Sequence, residues 1–331
     1  MAEQGEASDV WEEAAEAAEY KQNRMLGKGA YGVVYVVTHL PTNKQYAMKK
    51  MEMRIGDEGV PQSVLREIST LTLLGKKGHP NILILHDTFH NLAQNPTGDI
   101  LRMFLIMEKC DWDLYTFLKD IPRHMPERQC KIIIKQILSG VDFLHSSNVI
   151  HRDLKPQNIL INQDQTIKIA DFGLSRNYSS SCCFTTTVVT LWYRSPELLL
   201  QTSYNSAVDI WAVGCIIPEI FSRYPLLPAH SEAAQLQLIL QKLGSPSPED
   251  WPEDAVVDAS SFPECTALPS DSLFPRLPPE GVEVVLKCLH FNPSLRASAK
   301  DVLLSPFLAG VPDFYQPSQS QPPPPLRQHN R

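Results

Sequence analysis

HRDLKPQN, from His151 to Asn158, and DFG, from Asp171 to Gly173, set two acids and an amide close together along the chain. Their types suit one division of labour. A carboxylate at Asp153 accepts or orients the proton of an attacking hydroxyl, and the oxygens of Asn158 and Asp171 hold magnesium. The metal neutralises charge on a transferring phosphate, so the chemistry these residues point to is phosphoryl transfer. An isolated HRD is only a histidine and an acid in a loop; order, spacing and upstream partners together carry the reading.

Those partners begin at Gly27. The run LGKGAYGVVY, from Leu26 to Tyr35, has glycines at 27, 29 and 32 followed by apolar residues. It predicts a turn without Cβ obstruction that joins two strands and lies over phosphates. Dinucleotide folds also use GxGxxG, but there it ends a strand and opens a helix, whereas Val33 to His39 is β-branched and reads as a strand. The next strand, Gln45 to Met51, carries Lys49 on the face of Ala47 and turns Lys50 to the other. A helix is predicted from about Pro61 to Gly75, because proline suits a first helical position and Val64, Ile68 and Leu71 recur at helical spacing. Glu67 lies within that apolar surface, where a carboxylate needs a cation. Lys49 is the expected partner, in an ion pair that would set the lysine on the α- and β-phosphates of a nucleotide. Leu65, rotated roughly 200° from Glu67, should emerge on the outward side and suggests a protein partner there.

PQSVLRE, from Pro61 to Glu67, resembles the PSTAIRE-type helix of cyclin-dependent kinases, and the similarity runs from about Tyr20 to Leu308. Four features resemble the branch containing cyclin-dependent kinases four and six: Ala30 before Tyr31, GVDFLHSSNVIHRDLKPQNIL from Gly140 to Leu160, VVTLWYRSPELLL from Val188 to Leu200, and SEAAQLQLILQKLGSPSPEDWP from Ser231 to Pro252. The resemblance implies an α+β, bilobal protein kinase fold. A small β-rich N-lobe with one switch helix would span about 20–107, a hinge 107–111, and a larger, mainly α-helical C-lobe about 112–308. It implies a serine/threonine kinase using ATP and Mg2+, with nucleotide between the lobes. Around that nucleotide the family would set Leu26, Gly27, Gly29, Gly32, Val34, Ala47 and Leu160. Backbone of Glu108 and Cys110 would meet adenine, with Met107 as gatekeeper where relatives usually have phenylalanine and Asp113 at the cleft mouth. Lys155 would contact the γ-phosphate and the acceptor hydroxyl, braced by Thr190. Backbone near Val189, held by Arg194, would favour proline after the acceptor, because proline has no N–H to leave unpaired. The expected sites are therefore Ser-Pro and Thr-Pro.

The resemblance extends to control. Ser175 to Thr190 is rich in hydroxyls and has no acid. A phosphothreonine there brings about −1.5 to −2 charge, and the family gathers three arginines around it, matched here by Arg66, Arg152 and Arg176. Counting back from VVTLWYR makes Thr185 the acceptor, with Thr186 next if the register slips by one. Tyr31 could carry an inhibitory phosphate as in relatives, and Ala30 cannot. In this family a cyclin swings the helix inward, which would make Leu65 and its neighbours contact residues. Implied partners are a D-type cyclin, cyclin-dependent kinase inhibitor proteins, the kinase that activates cyclin-dependent kinases, and retinoblastoma-like protein substrates, in G1 cell-cycle progression. Glu197 and Arg296 match a structural ion pair, and Asp209, Trp211 and Gly214 the helix that supports the catalytic loop.

The whole chain agrees with these expectations. Its 331 residues, 43% hydrophobic, suffice for two lobes with separate cores. Ile133, Ile134, Ile137, Leu138, Val141 and Leu144 form the stripe of one long helix. The net charge of −7 is supplied entirely by acids within residues 1–19, so the remainder is near neutral. That argues against nucleic acid as a ligand and gives no basic patch for a membrane. Residues 1–19 are expected to be an acidic disordered tail, and 309–331, ending PSQSQPPPPLRQHNR, a proline-rich one. Seven cysteines without a CxxC pair indicate neither a zinc site nor a disulfide framework, hence a reducing compartment. No apolar run approaches the roughly 20 residues of a membrane span, and the first residues lack the basic-then-apolar order expected of a signal peptide. Nucleus and cytoplasm are the expected locations.

Two other readings compete. A pseudokinase scaffold would be expected to lose one of Lys49, Glu67, Asp153, Asn158 and Asp171, and all are present. A mitogen-activated kinase normally shows TxY, and TTTVVT has no tyrosine. Departures from the family are Ser195 before Pro196 and Pro218 inside a predicted helix, where relatives have alanine at both. An interior proline costs about 3 kcal/mol unless a kink accommodates it.

Overall fold

The computed structural model describes residues 19–29, 32–54, 60, 62–93, 99–120, 125–172, 176–177 and 190–315. The chain divides into two compact units, Met1–Gly78 with Leu83–Asp111, and His79–Ile82 with Trp112–Arg331.

Alternating β-branched and aromatic residues build the first unit into one antiparallel sheet. Its strands are β1 (Tyr20–Gly29), β2 (Gly32–His39), β3 (Lys44–Arg54), β4 (Leu85–Ala93) and β5 (Ile100–Glu108), in the order β1-β2-β3-β5-β4. Val37, Met48, Phe89, Phe104 and Ile106 form its core cluster, with Tyr20, Tyr35 and Tyr46 packed against it. The helix α1 (Gln62–Lys77) buries Val64, Glu67, Leu71 and Leu74 and leaves Leu65 exposed. It passes the expected end at Gly75 because the left-handed residue that closes it is Gly78, at φ 69°, whose N–H donates to Leu74 O. Pro61 lies outside the described residues.

The second unit is mainly helical. It comprises β6 (Trp112–Asp113), α2 (Leu114–Asp120), α3 (Glu127–Ser146), β7 (Val149–Ile150), β8 (Ile159–Ile161), β9 (Ile167–Ile169) and β10 (Arg176–Asn177). Then follow α4 (Pro196–Leu199), α5 (Ala207–Ser222), α6 (Glu232–Leu243), α7 (Ser270–Leu273), α8 (Pro279–Cys288) and α9 (Ala299–Leu303). The six apolar residues of the α3 stripe are buried. Within α3, a Cβ on Gly140 would stand 2.7 Å from Ile169 Cδ1 and 3.2 Å from Asn81 O, so glycine lets α3 lie directly against β9. Gly214 does the same between α5 and the end of α8, where a Cβ would come within 2.8 Å of Cys288 and Leu289.

Almost every residue of α5 is buried, Pro218 included, and the helix continues to Ser222. The interior proline is accommodated: surrounding packing holds the turn where proline's missing N–H leaves a carbonyl without its usual bond. Residues 309–315 also differ from the disordered tail expected there. Lys135 on α3 donates to Val311 O and pairs with Asp313 at 2.8 Å, tying this segment down. No described helix is long and apolar enough to cross a membrane.

Ser195, the N-cap of α4, is fully buried, and its hydroxyl has no hydrogen-bond partner among the described residues. Replacing it with alanine removes an unpaired polar group and is expected to raise unfolding stability by about 1 kcal/mol. Urea denaturation measures this, and a loss of stability instead would show that the hydroxyl is paired in solution.

Candidate active site

In the first unit, strand register decides which lysine meets Glu67. Lys49 stands opposite Val34 on β2 and Leu105 on β5, and its Nζ donates to both Glu67 oxygens, at 2.7 and 2.9 Å. The two side chains are only 12% and 4% exposed, which limits screening of their attraction. Lys50 turns to the other face and pairs with Glu52 at 3.0 Å. Ala47, opposite Met107, shares the Lys49 face with Val34, so a small apolar wall borders the lysine. Gly27 pairs with Val34, and Gly29 with Gly32, closing the β1–β2 hairpin below half-exposed Leu26. Only glycine fits at 32: φ is 148° and a Cβ would fall 2.0 Å from Lys50 O. At Glu108 the backbone N–H donates to Ile84 O and the carboxylate accepts from Ile84 N–H, so its N–H is already committed. Cys110 follows at intermediate burial.

In the second unit the loop after β7 brings Asp153, Lys155 and Asn158 together. Asp153 Oδ2 accepts from Lys155 Nζ at 2.6 Å and from Asn158 Nδ2 at 3.0 Å, and the same amide donates to Asp153 O at 2.8 Å. Asn158 therefore keeps its amide nitrogen on Asp153, leaving Oδ1 as its acceptor. Pairing of Ile159 with Ile169, and the Ala170 N–H donated to Asn158 O, set Asp171 beside Asn158 at the ends of β8 and β9. Leu160, between them in β8, faces Lys168 and Asp113 across the sheet. The donor set fits magnesium: hard oxygens from one carboxylate and one carboxamide, with room for substrate oxygens and water to complete an octahedron. No group of three His, Cys, Asp or Glu gathers among the described residues, which would suit a metal held by protein alone.

This loop is strained and braced. Arg152 and Asp171 both have left-handed backbone, at φ 70° and 64°. Asp209 on α5 holds the turn by accepting from the backbone N–H of His151 at 2.9 Å and of Arg152 at 2.8 Å, and from His145 Nε2 at 2.9 Å. Burial pushes the Asp209 carboxyl up, but the His145 hydrogen bond and nearby histidines outweigh it and leave it below the usual carboxylate range. Fully buried His151 links both motifs: its Nε2 bonds Ala170 O and its Nδ1 accepts from Asp153 N–H, which assigns the Nε2–H tautomer.

Sequence reasoning missed a second brace. Asn81 donates to Gln136 Oε1 and Ile167 O, and its own carbonyl accepts from Ile169 N–H, fastening β9 to α3. Gln136 also donates to Gln165 O and accepts from Ile167 N–H. The available signal was a glutamine flanking an isoleucine stripe, a place where a polar side chain needs buried partners.

The remaining sequence candidates have the following surroundings. Both oxygens of Asp113 are taken by Thr116, through its N–H and its hydroxyl at 2.8 Å each, so the residue caps α2. The guanidinium of Arg194, the residue expected to hold backbone near Val189, pairs with Glu232 at 3.0 Å. Thr190 lines one small pocket with Asp153 and Arg194, but among the described residues no hydrogen bond joins it to Lys155. Arg66 is half-buried on α1, and the Arg152 guanidinium lies 5.3 Å from the centre of the Tyr204 ring. Tyr31, Thr185 and Val189, and the side chain of Arg176, lie outside the described residues.

Below the loop, Tyr193 donates its hydroxyl to Glu219 Oε2 at 2.7 Å. Burial pushes the Glu219 carboxyl up to about 7, against the hydrogen bond from Tyr193, which lowers it. A carboxyl raised in the folded state binds its proton more tightly there than in the unfolded chain. Its contribution is therefore complete below the ordinary value of 4.5 and is lost as pH rises through about 7. Stability is expected to fall by about 3 kcal/mol over that window, and Glu219→Gln to remove this share of the slope. Urea denaturation at about pH 5 and about pH 8 measures both chains; equal slopes would contradict the assignment.

With this geometry in place, comparison with known proteins is direct. The protein kinase domain family matches residues 20–308. A cyclin-dependent kinase 4 homolog of Caenorhabditis elegans is 52% identical over 283 residues, covering 86% of this chain and 69% of that protein. Cyclin-dependent kinase 4 of Xenopus laevis is 41% identical over 295 residues, 89% of this chain and 92% of its own. That of Mus musculus is 39% identical over 296 residues, 88% and 97%. A chain with this β-rich unit, this helical unit and these relatives belongs to the protein kinase family and, within it, to the cyclin-dependent serine/threonine kinases.

Proposed function

We propose that this kinase transfers the γ-phosphate of ATP, with Mg2+, to Ser-Pro and Thr-Pro sites of protein substrates while bound to a D-type cyclin, in control of G1 progression. The observation that carries this reading is the Asp153, Lys155 and Asn158 cluster, complete and braced by Asp209. Asp153 would orient the acceptor hydroxyl and take its proton, Lys155 would steady the γ-phosphate, and Asn158 and Asp171 would hold the metal. Lys49, held by Glu67, would take the α- and β-phosphates. Leu65 supports the cyclin part: it is 50% exposed two residues from buried Glu67, so a partner pressing on it would hold the helix that carries the glutamate. A phosphate on Thr185, met by Arg66, Arg152 and Arg176, would be the second control. Inhibitor proteins, an activating kinase and retinoblastoma-like substrates belong to the same proposal.

The test is Mg-ATP-dependent phosphate transfer to Ser-Pro and Ser-Ala peptides, with and without a D-type cyclin. Near-silence alone, activity in the complex and preference for Ser-Pro are expected. Leu65→Glu should raise the cyclin concentration needed by about tenfold or more, and Thr185→Ala should slow the complex. Equal rates with and without cyclin, or equal use of both peptides, would refute the corresponding part.

A further inference from the structure

The second unit has a groove of about 420 Å³ among α5, α6, α7 and α8, apart from the residues assigned to phosphoryl transfer. Leu243, Leu273 and Leu289 line it together with Leu268 and Leu286, and the last two are 45% and 43% exposed, so the apolar wall opens to water. Phe291 extends that wall. Trp251 stacks on Phe291 at 5.5 Å and meets Phe262 at 6.0 Å, and all three rings are half-buried. Leucines beside such rings suit a proline-rich segment, which lays its rings on aromatic faces and, being extended already, loses little freedom on binding.

The surface around the groove is acidic. Residues 245–283 contain nine acids and a single base, Arg276. Asp250 lines the groove and accepts from Asn292 Nδ2 and Ser247 Oγ at 2.9 Å each; these hydrogen bonds hold its carboxyl below the usual carboxylate range. Glu249 and Asp271, each next to a lining residue in the chain, are exposed. The cations at the groove are engaged: Lys242 donates to Leu226 O at 2.8 Å, and Lys287, beside Leu286, pairs with Glu283 at 2.6 Å. A segment that complements this place carries apolar groups and positive charge.

One such segment belongs to this chain. Residues 316–331 include PPPPLR at 322–327, two arginines and no acid. They follow a stretch tied to the second unit, where Lys135 pairs with Asp313 at 2.8 Å. Phe307, six residues before Asp313, packs on α8, where a Cβ on Gly281 would stand 2.8 Å from its ring. Leu286 lies about 7.5 Å further along that helix. By this path the wall is at most roughly 40 Å from Asp313, and Leu326, thirteen residues beyond Asp313, can extend about 43 Å. A tether of that kind gives an effective concentration in the millimolar range, so weak contacts suffice to seat the segment. We propose that residues 322–327 of this same chain occupy the groove, with the prolines and Leu326 on the leucine and aromatic wall and Arg327 among the acids.

The test is the full chain with Leu326 replaced by photoreactive p-benzoylphenylalanine, illuminated and read by mass spectrometry. Adducts are expected on Leu268, Leu273, Leu286 or Phe291 of the same chain, with a yield that about a hundredfold dilution leaves unchanged. Leu286→Lys puts a cation at an exposed position of the wall, and it should cut the yield about fivefold or more with unchanged thermal unfolding. Arg327→Glu should do the same with every groove residue intact, which keeps the test decisive should the first variant not fold. Salt at about 1 M, where charges are screened within about 3 Å, should lower the yield as well. A yield that falls on dilution would assign the groove to a second copy and overturn the proposal. So would adducts elsewhere on the chain, or a yield that both variants leave unchanged.

Discussion

Asp153→Asn is expected to lower the rate of phosphoryl transfer by about 10²–10⁴-fold while leaving the fold and the apparent affinity for ATP nearly unchanged. The geometry explains the separation. One oxygen of Asp153 is committed to Lys155 Nζ and the Asn158 amide, at 2.6 and 3.0 Å. An asparagine can still turn its carbonyl toward both donors, so the loop keeps its shape. What it cannot do is accept the proton of an attacking hydroxyl, because a carboxamide is not a useful base near neutral pH. Steady-state kinetics of the cyclin complex, with circular dichroism as the control for folding, reads the effect. A variant within about twofold of the parent rate would remove Asp153 from the chemistry.

Arg296→Ala is expected to cost about 3–5 kcal/mol of stability, the scale for breaking a buried ion pair by deleting one partner. All five guanidinium donors are used. Two meet the Glu197 oxygens at 2.6 and 2.7 Å, and the others meet His290 O, Ala207 O and Phe291 O. The side chains are 0% and 2% exposed, so deletion strands a carboxylate and three carbonyls where water has little access. Arg296→Lys keeps the charge but has no planar fork, and it should recover only part of the loss. Chemical denaturation measures both variants. A cost under about 1 kcal/mol for alanine would mean that solvent reaches Glu197 after all.

Much of the site is legible in the sequence because short-range geometry depends on period. Alternation on a strand separates Lys49 from Lys50, and rotation on a helix separates Glu67 from Leu65; both follow from residues a few positions apart. The helix end was misjudged at Gly75 because glycine inside a packed helix is tolerated. The stop lies where the backbone turns left-handed, at Gly78. Pro218 lies inside a helix as expected; its local penalty is real, but almost every residue of the segment is buried and packing outweighs one missing bond.

By itself, then, the sequence determined which side chains carry charge, metal-binding oxygens and a usable base, and the local elements that present them. The tertiary structure alone decided who meets whom. Asp209 reaches the His151 and Arg152 amides from more than 50 residues away, Arg296 closes on Glu197 across 99, and Arg194 turns to Glu232. Such pairings depend on how distant segments pack and on what burial leaves each polar group able to reach, and neither is encoded in local spacing.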